Sequence, residues 1–92
     1  MIVRVAGEGQ YTLPDEDAAR LNELDNDAVA AATAGDEDRF TDLWNQMLEL
    51  VARDGEAVPD DELIESDVIL PPRDISFEEA VGEFTGEGLI PD

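Results

Sequence analysis

From Phe40 to Val51, the apolar residues Phe40, Leu43, Trp44, Met47, Leu48 and Val51 recur at i, i+3, i+4, i+7, i+8 and i+11 without a miss. That spacing places all of them on one face of a helix and none of it fits a strand. The stripe needs a surface to bury against, and the chain supplies one immediately upstream. Ala18, Leu21, Leu24, Ala28, Ala31 and Ala32 recur at helical spacing, so a first helix is expected over about 16 to 34, ending at Gly35. Asp15 reads as its N-cap, with Glu16 and Asp17 in the first turn, where the helix dipole favours negative charge. Asp36 then caps the second helix, which should end near Asp54-Gly55. With almost no loop at Gly35, the two helices must fold back as an antiparallel pair, each about 28 Å long. The second half of the first helix is nearly all small residues, which lets its neighbour approach closely.

The flanks read as a small sheet. Ile2 to Ala6 is a mostly β-branched run ending at Gly7-Glu8-Gly9, and Tyr11 and Leu13 alternate against Gln10 and Thr12. Two short strands around a glycine-containing connection form a hairpin. Pro14 closes the second strand. Glu56 to Glu65 is polar and turn-like around Pro59, and Val68-Ile69-Leu70 is a short third strand bounded by Pro71-Pro72. A proline cannot donate to a sheet ladder, so this strand belongs at an edge. Ser76 and Glu79 have the spacing of a capping box, opening a short helix through Phe77, Ala80, Val81 and Phe84 that ends at Gly86. The expected fold is α+β: a small sheet, made of the N-terminal hairpin and the third strand, packed on an antiparallel helical hairpin with a short C-terminal helix. Residues 1–92 read as one domain. Its expected core is Val3, Val5, Tyr11, Leu13, Leu21, Leu24, Leu43, Trp44, Met47, Leu48, Val51 and Phe84.

Charge sets the conditions under which this core can close. The chain has 25 Asp and Glu against five basic residues, all arginine, for a formal charge of −20. In dilute buffer these carboxylates oppose compaction. At about molar salt the screening length falls to roughly 3 Å and the repulsion largely disappears. A lysine-free acidic surface therefore fits work in concentrated salt, as in the cytoplasm of a salt-accumulating halophile. Disorder is the usual companion of high charge, but 42% apolar residues in clean periodic patterns argue against it.

The same composition narrows the chemistry. There is no cysteine and no histidine, hence no thiolate nucleophile, no Cys-ligated zinc and no Ser-His-Asp arrangement for Ser66 or Ser76. Gly7-Glu8-Gly9 lies between strands and carries an acid where a phosphate would sit, so it is no dinucleotide fingerprint. Asp60-Asp61-Glu62 offers oxygen ligands without calcium-loop spacing, and acids are expected at such a turn. No enzyme activity, cofactor or metal is expected. The charge disfavours nucleic acid and anionic lipid as direct partners. No run approaches the ~20 apolar residues of a membrane span, so a cytoplasmic location without direct membrane insertion is expected. What remains is apolar residues near edges and ends: Tyr11, Ile69, Pro71, Pro72, Leu89, Ile90 and Pro91. They are the candidate partner-binding surface, and an exposed sheet edge is a known docking device.

Several segments in order carry a resemblance. Met1-Ile2-Val3-Arg4 runs into Gly7-Glu8-Gly9-Gln10-Tyr11. Leu21-Asn22-Glu23-Leu24-Asp25 follows, then Pro59-Asp60-Asp61-Glu62-Leu63 with Ser66-Asp67-Val68-Ile69-Leu70-Pro71-Pro72, and finally Glu87-Gly88-Leu89-Ile90-Pro91. Together they resemble the PspA-associated family, PspAA, over essentially the whole chain. The resemblance implies a small archaeal or actinobacterial domain. Such domains accompany PspA, the coiled-coil membrane-remodelling protein of the phage-shock type envelope stress response. It implies an accessory or regulatory role rather than catalysis, a PspA-like coiled-coil partner, and a membrane association made through that partner. It supplies no ligand or catalytic residues. The extreme acidity is the departure, and salt adaptation accounts for it. The competing expectation is an acidic decoy that mimics nucleic acid and occupies a nucleic-acid-binding protein. A decoy needs carboxylates spaced like phosphates on one face, whereas an adaptor needs an apolar patch with acids elsewhere.

Overall fold

The computed structural model describes residues 1–59, 61–62 and 64–84. The helical hairpin forms as its apolar stripes require: α1 spans Asp15–Ala34 and α2 spans Glu37–Asp54. Gly35 sits in the left-handed region at φ 72°, where a side chain would be strained. Its N–H donates to the Ala32 carbonyl at 3.1 Å, and the Asp36 N–H to that of Ala31 at 2.9 Å. This pair of bonds is a Schellman closure, and it satisfies carbonyls the helix end would leave orphaned. The Asp36 side chain then accepts from the Arg39 N–H at 3.2 Å and starts α2. At the other end the expected cap is corrected. Pro14, not Asp15, holds the flanking position, with φ −60° and ψ 154°, and no side chain caps the helix. Proline already has the extended geometry an N-cap requires, so Asp15 becomes the first helical residue and serves the dipole instead.

The sheet has four strands in the order β3-β2-β1-β4, where β1 is Ile2–Val5, β2 Gly9–Thr12, β3 Glu56–Ala57 and β4 Val68–Leu70. The expected hairpin is present, with Val3 opposite Tyr11 and Arg4 opposite Gln10. The third expected strand is the edge strand β4, which pairs parallel to β1 with Arg4 opposite Ile69. The two-residue β3 lies within a stretch expected to be only turn-like. It extends the sheet beyond β2, with Tyr11 opposite Ala57. It follows α2 directly at Gly55, where an added Cβ would collide with the Val51 carbonyl oxygen and crowd the Tyr11 Cβ. The helix therefore passes close to the sheet at this point.

Side chains alternate across the sheet. Val3, Val5, Leu13, Val68 and Leu70 point to one face and join the α1 and α2 stripes in a single buried cluster. Every expected core residue is buried except Tyr11, which is half-buried and packs against the cluster's margin. α3, Phe77–Phe84, closes the remaining end of the hairpin. Its Phe84 ring meets Phe40 and Trp44 edge-on at 5.0 and 5.7 Å, and Phe77 meets Phe40 at 5.5 Å. The capping box is seen at its start: the Ser76 hydroxyl accepts from the Glu79 N–H at 3.3 Å and donates to the Glu79 carboxylate at 3.1 Å. The expected stop at Gly86 lies outside the described residues. One acid, Asp25 on α1, is completely buried and is engaged within the fold.

Because β3 and β4 lie on opposite edges, the intervening chain must cross the sheet. Gln10, on the face away from the helices, holds this crossing: its side-chain amide donates to the Ile64 carbonyl at 2.8 Å and to the Ser66 hydroxyl at 2.7 Å. The crossing then enters β4 through Asp67, whose N–H donates to the Ile2 carbonyl at 2.8 Å while its carboxylate accepts from the Ile2 N–H at 2.8 Å.

Candidate functional site

β4 is short, and its alternation decides what it presents. Val68 and Leu70 are buried beneath the sheet, so Ile69 between them points outward and is 61% exposed. Pro71 ends the ladder, and the chain turns so that the Ile75 N–H donates to the Pro72 carbonyl at 3.1 Å. This turn is clamped to the β1–β2 connection. The Arg73 guanidinium forks onto the Glu8 carboxylate with bonds of 2.9 and 3.2 Å, joining residues distant in sequence. The Arg73 side chain is 54% exposed and that of Glu8 34%, so solvent screens the pair and it fixes orientation more than it adds stability. The hairpin connection takes its shape from Gly7 and Gly9, at φ 82° and 115°.

Between β4, this turn and α3 lies an open groove of about 500 Å³. The β4 side supplies Ala6, Ile69, Leu70, Pro71 and Pro72, and the turn and helix supply Asp74, Ile75, Glu79 and Glu83. The structure thus brings together Ile69, Pro71 and Pro72 of the candidate surface. It separates them from Tyr11, which lies opposite Val3 on the helix-covered face. Leu89, Ile90 and Pro91 lie outside the described residues. Sequence reasoning missed Ile75 and the acids Asp74, Glu79 and Glu83. The only signals were an apolar residue just before the Ser76 cap and two acids one helical turn apart.

Two smaller grooves carry less. One, of about 210 Å³, lies where the crossing chain meets Arg4 and Gln10. The other, of about 240 Å³, lies between α1 and α2 beside Arg20 and Arg53, and both arginines already pair with the neighbouring acids Glu23 and Asp54. Of the acidic triplet at the crossing, Asp60 is outside the described residues, and Asp61 and Glu62 are exposed. Among the described residues, no group of three His, Cys, Asp or Glu could hold a metal ion, and no helix is long and apolar enough to cross a membrane.

A family model described as PspA-Associated protein matches residues 1–92. No curated protein and no solved structure matches the chain.

Proposed function

The chain belongs to the PspA-associated protein family, and from that premise we propose that it is a non-catalytic accessory protein that docks on a PspA-like coiled-coil protein. Membership implies association with PspA; the docking surface, the adaptor role and the high-salt setting are our reading. It works in the cytoplasm, in concentrated salt, and reaches the membrane only through its partner. One observation carries the choice of surface. Ile69 is a large, exposed apolar side chain on β4, an edge strand among the described residues, and it opens onto a groove whose β4 side, with Pro71 and Pro72, is apolar. An isolated exposed apolar residue needs no explanation, whereas one that continues into a groove marks a contact surface. In concentrated salt, long-range charge steering is lost and apolar burial is strengthened, so a specific contact there must rest on such a surface.

A pull-down of the tagged chain from its own organism in about 2 M KCl tests this reading. It should recover PspA, and truncation before Leu89 should weaken recovery while the fold persists. Recovery of a DNA-binding protein in place of PspA would favour the acidic decoy instead.

A further inference from the structure

We infer that the groove beside Ile69 receives an amphipathic helix of the partner whose apolar stripe is flanked, along one side, by basic residues one helical turn apart. This rests on the docking reading above and adds the chemistry of what docks. The groove is asymmetric. Its β4 side is apolar, and its other side carries Asp74, Glu79 and Glu83, with no basic residue lining it among the described residues. Glu79 and Glu83 both lie on α3 four residues apart, so their carboxylates project from one helix face about 6 Å apart along its axis. Among the described residues, no arginine answers them: the ion pairs join Arg20 to Glu23, Arg53 to Asp54 and Arg73 to Glu8. Arg73, the cation nearest in sequence to this wall, is committed to the hairpin connection.

Charge selects among the possible occupants. A second copy of the chain has five arginines against 25 acids, and Arg20, Arg53 and Arg73 are already in ion pairs, so it offers an acidic wall few cations. The sequence of residues 85–92 contains Glu87 and Asp92 and no basic residue, so it supplies no cation to pair with the wall. A foreign segment with arginine or lysine does. A helix also fits better than an added strand. Among the described residues the outer edge of β4 is only three residues long and stops at Pro71-Pro72, which cannot extend a ladder, whereas the acid spacing on α3 matches that of a helix lying alongside. Contacts of this kind are charge-assisted and short, so they outlast the loss of long-range steering.

Calorimetric titration of PspA from the same organism into the chain, in about 1 M KCl, tests the inference with two variants. The double variant Asp74→Asn with Glu83→Gln should weaken binding about threefold to tenfold, with the difference shrinking as salt rises. Glu79 is left intact because it shares the Ser76 cap. Ile69→Glu should weaken binding more. If Ile69→Glu weakens binding and the double variant does not, the groove docks PspA but the acidic wall takes no part, and the inference fails alone. If neither variant weakens it, docking at this groove fails as well. If deletion of residues 85–92 tightens binding instead, the chain's own tail is the occupant and the inference is overturned.

Discussion

Tyr11 and Ile69 stand on opposite faces of one sheet. Tyr11 pairs with Val3 and Ile69 with Arg4, and consecutive residues of β1 point in opposite directions. Tyr11 therefore contributes to the buried layer under the helices, and Ile69 is free to meet another molecule. Stability and recognition are divided between two residues that both read as apolar edge positions.

Tyr11→Ala should lower stability by about 1–3 kcal/mol, since the ring is half-buried against the core margin rather than at its centre. Once folded, the variant should bind PspA as the parent does. Urea melts followed by titration check both halves, and loss of affinity in a fully folded Tyr11→Ala protein would put Tyr11 in the interface after all.

Trp44 carries a second separable effect. The ring is buried against Phe84, and among the described residues its indole N–H has no hydrogen-bond partner. Trp44→Ala should cost about 3–5 kcal/mol through the cavity it leaves. Trp44→Phe leaves a smaller void and removes a buried unsatisfied donor, which itself costs about 1–3 kcal/mol. It should therefore be clearly milder than Trp44→Ala in urea melts at high salt. Equal losses would show that the N–H has a partner.

At the α1 start and α2 end, two acids diverge. Burial, and then the Asp54 carboxylate beside it, raise the Asp17 carboxyl above its ordinary value of 3.8. The Arg53 guanidinium, bonded to Asp54 at 3.1 and 3.2 Å, holds the Asp54 carboxyl below that value. The signs are opposite. Between 3.8 and the raised folded value, the native state binds the extra proton at Asp17, so its contribution worsens as pH rises. Asp54 contributes stability above 3.8 that is lost as pH falls through its depressed folded value. Asp17→Asn should thus raise the melting temperature at pH 7, and the gain over the parent should shrink as the pH is lowered toward about 4. A gain that is absent at pH 7, or that grows in acid, would contradict this arrangement.

Salt acts on the whole surface. With −20 net charge and only three ion pairs among the described residues, repulsion is mostly uncompensated. The melting temperature should rise between about 0.1 M and 2 M NaCl. An unchanged or lower value at the higher concentration would remove the basis for placing the protein in concentrated salt.

The helical hairpin was legible because each of its instructions is local: a strict stripe from Phe40 to Val51, a glycine at the left-handed position 35, and an acid at the Asp36 cap. The sheet was legible where β-branched residues alternate, in β1 and at Val68 and Leu70. β3 was not, because Glu56 and Ala57 carry no strand pattern and pair only because α2 delivers them beside β2. The separation of Tyr11 from Ile69 needed the register of three strands. The acidic wall was hidden for a similar reason, since Asp74 comes from a turn and Glu83 from a helix that only the tertiary fold brings beside β4. Buried Asp25 ran against the expectation that acids lie outside, and nothing in its sequence neighbourhood marks it.

The central claim is that this chain meets PspA through the groove beside Ile69. Titration calorimetry of PspA against the parent and Ile69→Glu, in about 2 M KCl, tests it most directly, because Ile69 is exposed and the substitution leaves the core untouched. A loss of tenfold or more, about 1.4 kcal/mol, with an unchanged melting temperature is the expected result. Unaltered affinity in the folded Ile69→Glu protein would contradict the claim.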